Sequence, residues 1–528
     1  MNQITLCGIP STLYSVKHGT SKAEERAAQI LTSHFEKING QPFVGGSGVI
    51  ELFVDPTLKE ADSFTIQNTK GLLQIKGSNG RGLIYGVYDL LETYLGARFF
   101  FPGVEKTGEA ADIPELQKHQ APIFEYRQGD WVALRNADWC VANHINNYSF
   151  LDETYGGHIK WGSFVHTMHQ ITGCDAGTQP CLSDPVVLEQ AIAYVRNILE
   201  KDPTVNLISV SQNDNKHFCT CPKCAAVDEE EGSHMGTLLR LVNAVAENIK
   251  DDYPNVAIET LAYQYTRKPP KITRPLPNVV IRLCSIECCF SHPLSDESCN
   301  HNLDFKHDIE AWSKICNRLY IWDYVTDFAF YIPTFPNFGV LRENMRFFAV
   351  NHVKGMYPEG NFQSISGEFG ELRAYLLAKL MWDPLMSERK YQEHIDEFLE
   401  AYYGAGWRYI RAYLDLTVGC VRRQHMQIYD RPFKFISEET YQALYDTFEE
   451  WWNKAEALAG DRIEAVKQSR LQWTYLSLCV KPDYQKGRAF YDHVNEKNIR
   501  WCETIRRQPD DEDFAKPPFK WNFTIVKK

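Results

Sequence analysis

The sequence predicts an α/β chain in three parts: a small α/β domain over residues 1–120, a (β/α)₈ TIM barrel over 121–385, and an α-helical domain over 386–528. Three observations predict it. Strand and helix patterns are mixed up to about residue 120. Eight short β-branched or aromatic runs then alternate with helical stretches over about 260 residues, the size of such a barrel. Beyond Pro384 strand patterning stops and helical periodicity alone remains.

In the first part, Ala27, Ile30, Leu31 and Phe35 fall on one face of a helix. The run VIELFVD (49–55) and the pair SFTIQNT and GLLQIKG read as strands. Next, GRGLIYGVYDLLETYLG (80–96) repeats Leu83, Val87, Leu90, Leu91 and Tyr94 at helical spacing, with Gly96 as its stop. The Gly-rich GSNGRG (77–82) lacks a GK[ST] ending and does not match GxGxxG, so it reads as a tight turn rather than a phosphate loop. Residues 102–122, polar and bounded by prolines, read as a linker.

The eight barrel strands are expected at 124–130, 144–148, 160–166, 206–214, 257–263, 279–287, 319–325 and 353–360. Clear amphipathic helices follow the later ones, at 236–249 and 370–382. The first three steps are weakly patterned, which leaves an open doubly wound sheet as the alternative. In the last part, Ser387 precedes a helix bearing Tyr391, Ile395, Phe398, Leu399 and Tyr402. Ser437 precedes another bearing Tyr441, Leu444, Tyr445, Phe448 and Trp452.

The 56 basic and 68 acidic residues give a net charge of −12, and no basic block occurs. That excludes duplex nucleic acid and anionic membrane surfaces as natural partners. No run approaches the roughly 18 apolar residues of a spanning helix. The start MNQITLCGIPSTLYSVKHGT has neither a charged n-region nor an apolar h-region. With 15 cysteines, an odd count in a large chain, the expectation is free thiols in the cytoplasm, or a periplasmic protein if a leader is missing from this sequence.

Residues just past barrel strand ends converge on one mouth. That rule selects Gln212, Asn213 and Asp214 after the fourth strand, and Tyr263, Gln264 and Tyr265 after the fifth. Glu287 follows the sixth, Trp322, Asp323 and Tyr324 the seventh, and Glu359, Gly360 and Asn361 the eighth. Glycoside hydrolysis needs a carboxyl that donates a proton, a second that acts as nucleophile or base, flat rings for sugar faces, and amides for hydroxyls. The catalytic candidates are therefore Asp214, Glu287, Asp323 and Glu359. The substrate-binding candidates are Trp139, His144, His166, Asn213, Tyr263, Trp322, Tyr324 and Asn361. An acidic residue at one strand end is more often a loop cap, so the grouping carries the reading. Arg127, Arg135 and Arg282 are candidates for an acidic sugar.

His144, His158, His166 and His169 cluster near Trp139 and Trp161, but no HxxxH falls on an expected helix. HFCTCPKC places Cys219, Cys221 and Cys224 within six residues. With His217 or Cys181 as fourth ligand they would hold a structural zinc; free thiols are the alternative. Cys288 and Cys289 are adjacent and read as small buried residues. No GxSxG occurs. The reaction expected here requires no cofactor.

The segment 80–103 resembles the α/β domain that precedes the barrel in family 67 α-glucuronidases and family 20 β-hexosaminidases. SVSQNDN, CxCPKC, EEEGS and GTLLRLVNAVAE (209–247), LAYQYTRKPP (261–270), RLCSIECCF (282–290), IWDYVTDF (321–328) and EFGELRAYLLAKLMWDP (368–384) together resemble the bacterial domain-of-unknown-function family 4838 over most of 70–420. The resemblance implies a glycoside-hydrolase architecture. By α-glucuronidase analogy Asp214 would be the general acid, with Glu287 and Asp323 as base candidates. The acid in those enzymes is usually Glu, so Asp214 departs from the pattern. The N-acetyl-assisted mechanism wants Asp-Glu where this chain has Asn213-Asp214, and is not expected. Three functions follow: a glycoside hydrolase acting on a carbohydrate, a catalytically inactive carbohydrate-binding protein, or a metal-dependent hydrolase.

Overall fold

The computed structural model describes residues 3–503. The stretch 504–528, assigned above to the helical domain, lies outside the described residues.

The first part is a five-stranded sheet in the order Leu116–Gln120, Phe64–Thr69, Leu72–Gly77, Gly48–Val54, Tyr14–His18. Helices Lys22–Asn39 and Gly80–Leu95 pack together beside it. Ser21 and Glu24 form a reciprocal capping box at the first helix, and Gly40 ends it at φ 67°. Asn79 caps the second by accepting from the Gly82 N–H, so GSNGRG is a helix entry.

The second part is a curled parallel sheet of seven strands: β1 Tyr126–Arg127, β2 Trp161–Ser163, β3 Leu207–Ser209, β4 Ala257–Ala262, β5 Val279–Cys284, β6 Leu319–Tyr324 and β7 Gly355–Glu359. Their order is β1-β7-β6-β5-β4-β3-β2, so the first strand lies beside the last. The expected strand at 144–148 is not one. His144 sits at φ 62°, which breaks an extended run. The Asn146 side chain takes the bonds a ladder would use: Oδ1 accepts from Arg127 N–H (2.9 Å), and Nδ2 donates to the Glu125 carbonyl (2.7 Å). Two backbone bonds still span this gap, Asn146 N–H to Arg127 O and Ile159 N–H to Asn146 O, at 3.2 and 3.0 Å.

Strand alternation sends one set of side chains to the concave face. Tyr126, Leu207, Ala257, Val280, Tyr320 and Tyr357 form its floor, separate from the main core. Above them the fully buried Arg282 pairs with Glu259 at 2.7 Å. Its guanidinium lies 4.4–4.9 Å from the rings of Trp161, Phe164 and Trp322. Arg282 is thus committed to the floor and is removed from the acidic-sugar candidates.

Arg127 is committed as well. Asp62, from the first part, accepts from Arg127 Nη2 (2.8 Å), Arg81 Nε (2.8 Å) and Asn146 Nδ2 (2.9 Å). Burial opposes its charge, but the two guanidiniums hold the carboxyl far below the ordinary range. This knot ties the first part to β1.

Among the described residues no strand follows Glu359. Ser387 caps Glu388–Tyr403, which buries Tyr391, Ile395, Phe398, Leu399 and Tyr402. The helix expected after Ser437 breaks at Leu444 into Glu438–Ala443 and Tyr445–Leu458. These helices rest on the strand-end loops: Gln472 N–H donates to Gly367 O, and Trp452 stacks on Phe369. No helix among the described residues is long and apolar enough to cross a membrane.

Candidate active site

The layer above the Arg282–Glu259 floor is built from the ends of β1, β6 and β7. Glu359 ends β7 and is recessed yet partly open to solvent. Its Oε2 accepts from the Trp322 indole N–H at 2.7 Å. Two residues back, the Tyr357 hydroxyl donates to Asp130 Oδ2 at 3.1 Å, just past β1. Trp322 stacks on Tyr324, and Tyr324 meets Phe328 edge-on. An aromatic wall thus flanks two carboxyls.

Burial raises Glu359 to about 8, with Glu503 and Asp130 adding like charge; the Trp322 bond and Arg282 pull less strongly the other way. Burial also raises Asp130 to about 7. Glu503 is raised by burial and by the charge of Asp214. Asp214 is exposed and accepts from the Tyr263 hydroxyl at 3.1 Å. Gln264 Nε2 in turn donates to that hydroxyl at 2.7 Å. Tyr429, from the helical part, lies within electrostatic reach of Glu359, Asp214 and Glu503.

The structure therefore brings Asp214, Glu359, Tyr263, Trp322 and Tyr324 around one mouth. His166 joins its edge, 6.0 Å ring to ring from Tyr263 and bonded to Gln212 O. Asp323 points to the opposite face of β6, where Ser285 Oγ donates to it at 2.6 Å and burial raises it to about 6. Glu287 sits outside on the rim, ion-paired with Arg267 at 3.1 Å. His144 is buried against Trp382 and Tyr85, at 4.1 and 4.8 Å, and Trp139 is buried in the short helix Ala137–Ala142. Both belong to the packing between the first two parts. Asn213 and Asn361 spend their amides on loops: Asn213 joins His169 N–H to Thr178 O, and Asn361 caps Gln363 N–H. Arg135 is exposed, donates to the Phe362 carbonyl and lies within electrostatic reach of Asp130.

Beyond β3, the sulfurs of Cys181, Cys219, Cys221 and Cys224 lie within 4.8 Å of one another. Cys181 is 3.6 and 3.7 Å from Cys221 and Cys224. A tetrahedral zinc with sulfur at about 2.3 Å has edges of about 3.8 Å, so the four thiols fit it. His217 turns its ring to Gly177 O instead, leaving Cys181 as the fourth member.

The family described as a domain of unknown function, DUF4838, matches residues 106–415. The chain belongs to this family. Among solved structures, the DUF4838 chain is similar to a family GH115 4-O-methyl-α-glucuronidase with specificity for decorated arabinogalactans. The TM-score is 0.57 at 12% identity, over 92% of this chain and 75% of that one. It also aligns with a GH138 enzyme targeting pectin rhamnogalacturonan II, at TM-score 0.47 and 9% identity, over 92% and 72% of the two chains. The first of these establishes a shared fold. No curated protein matches the sequence.

Sequence reasoning missed Asp130, Tyr429 and Glu503 in the DUF4838 chain. Asp130 closes the first expected strand, FEYRQGD, so the strand-end rule could have found it. Tyr429 and Glu503 come from the helical part, and no strand pattern points to them.

Proposed function

We propose that this DUF4838 chain is a glycoside hydrolase with Glu359 as proton donor and Asp214 as nucleophile or base. We also infer that the seven-stranded sheet is a (β/α)₈ barrel whose second strand has been reduced to the two-bond bridge at Asn146. The observation that carries the functional reading is the placement of Glu359: a solvent-reachable carboxyl at the end of β7, bonded to the Trp322 indole beside an aromatic wall, where burial pushes it up to about 8. A carboxyl with that property can protonate a leaving glycosidic oxygen at neutral pH. The fold shared with a 4-O-methyl-α-glucuronidase supports a carbohydrate substrate by analogy.

The test is a screen of aryl glycosides and natural oligosaccharides with wild type and Asp214→Asn. Turnover of one sugar class is expected, reduced by about 10³-fold or more in the variant. Binding of a sugar with no turnover by wild type would favour the carbohydrate-binding alternative.

The four thiols after β3 are proposed to hold a structural zinc. Four thiolates complete a tetrahedral shell and leave no open position for substrate, which argues against the metal-dependent hydrolase. Their loop follows Asp214 directly, so the ion would steady that carboxylate. Cys221→Ser is expected to lower thermal stability and zinc content while leaving the pH dependence of turnover unchanged. Loss of turnover at full stability would instead make this metal catalytic.

A further inference from the structure

A second group of metal-binding side chains lies between the loop after β5 and the helical part, and it takes no part in the reading above. Cys289, His292, Cys299 and His425 each offer one ligand atom, and these atoms all fall within 4.8 Å of one another. Cys289 Sγ is 3.2 Å from His292 Nδ1, and Cys299 Sγ is 3.7 Å from His425 Nδ1. A tetrahedral zinc with sulfur at about 2.3 Å and nitrogen at about 2.0 Å has S···N edges of about 3.5 Å. We propose that these four residues bind a zinc ion that clasps the loop after β5 to the helical part of the chain.

Two further observations support the site. His292 turns Nδ1 to the cluster while its Nε2 meets the Arg422 carbonyl at 3.1 Å. A ligating imidazole is held in the same way, its second nitrogen donating to a backbone carbonyl and so fixing the tautomer. The turn that presents Cys289 and His292 is also pre-formed. Asn302 is fully buried, accepts from Cys289 N–H at 2.7 Å, and donates to the Cys289 and His292 carbonyls at 3.2 Å. Charge is consistent too. Two thiolates and two neutral imidazoles balance one divalent ion, so a site with both cysteines buried would carry no net charge. Exposed His425 leaves a route for entry.

The clasp has a clear mechanical consequence. Next to it, Phe290 N–H donates to Met426 O (2.8 Å) and Ser291 Oγ to Gln424 O. Three residues beyond Met426, Tyr429 packs against Phe328, whose N–H donates to Ile428 O, and lies within electrostatic reach of Glu359, Asp214 and Glu503. The ion would thus fix the segment that brings Tyr429 to the carboxyls.

Zinc content of the full chain and the X-ray absorption of the bound zinc test the proposal. With the Cys181 cluster also filled, two zinc per chain and a mean shell of three sulfurs and one nitrogen are expected. Cys289→Ser with His425→Gln should leave one zinc with four sulfurs. One zinc with two sulfurs and two nitrogens in wild type would support this site without the other. His425→Gln alone alters an exposed residue and should leave the fold intact. It should speed transfer of one zinc equivalent to a chromogenic chelator by at least tenfold. An all-sulfur shell in wild type, unchanged release from His425→Gln, or a Cys289–Cys299 disulfide by thiol titration would overturn it.

Discussion

Glu359→Gln is expected to lower kcat/KM by about 10²–10⁴-fold on substrates with poor leaving groups, the range a positioned general acid supplies. The amide keeps an oxygen to accept from the Trp322 indole, so the wall should remain in place. Wild type should lose activity as pH rises through about 8, where Glu359 gives up its proton. The residual activity of the variant should lack that alkaline limb. Stability follows the same sign. Glu359 is raised in the folded chain, so its contribution to folding is fully present below the ordinary carboxyl range and is lost as pH rises through about 8. E359Q should therefore resist alkaline unfolding better than wild type. A pH series of initial rates and of denaturation midpoints checks both points.

Arg282→Ala is expected to carry the largest stability cost, about 3–5 kcal/mol. It leaves Glu259 fully buried without its partner, opens a space among three rings, and removes the donor to Phe164 O. Glu259 is already raised by burial despite the guanidinium, so in the variant it would be driven neutral. Arg282→Met with Glu259→Gln should recover much of the loss, because the penalty lies in the unpaired charge more than in the pair's net value. Arg282 also opposes the rise of Glu359. In any variant that lacks it and still folds, the alkaline limb should move upward. Denaturant titration and pH–rate profiles measure these effects separately.

The later strands were legible because each is a continuous buried run: VVIRLC and AIETLA are buried at every position. The gap at 144–148 was not. HINNY has the composition of a short strand, and only tertiary bonds from Asn146 and the positive φ of His144 exclude it. At the mouth, strand ends located Asp214 and Glu359 but could not tell facing from non-facing residues. Asp323 and Trp322 are neighbours in sequence, yet period-2 alternation puts one beneath the helices and the other on the wall. Counting inward from Tyr320 would have separated them, because Tyr320, Trp322 and Tyr324 share a face. The aromatic and amide candidates suffered from the same ambiguity. Trp139, His144, Asn213 and Asn361 have sugar-binding chemistry, but their partners lie inside the protein. Cys289, His292 and Cys299 were hidden by wide spacing and by His425, which lies more than a hundred residues away.

Delivery of a proton by Glu359 to the departing glycosidic oxygen is tested most directly by the leaving-group dependence of Glu359→Gln. Once the screen has identified the sugar, a series of its aryl glycosides with leaving-group pKa rising from a dinitrophenol to an unactivated phenol would be assayed with both proteins. A good leaving group needs no proton, so the ratio of wild-type to variant kcat/KM should be near one for the dinitrophenyl glycoside. It should climb steeply along the series, towards about 10³ at the phenyl glycoside. A ratio that stays constant from dinitrophenyl to phenyl would contradict proton donation by Glu359.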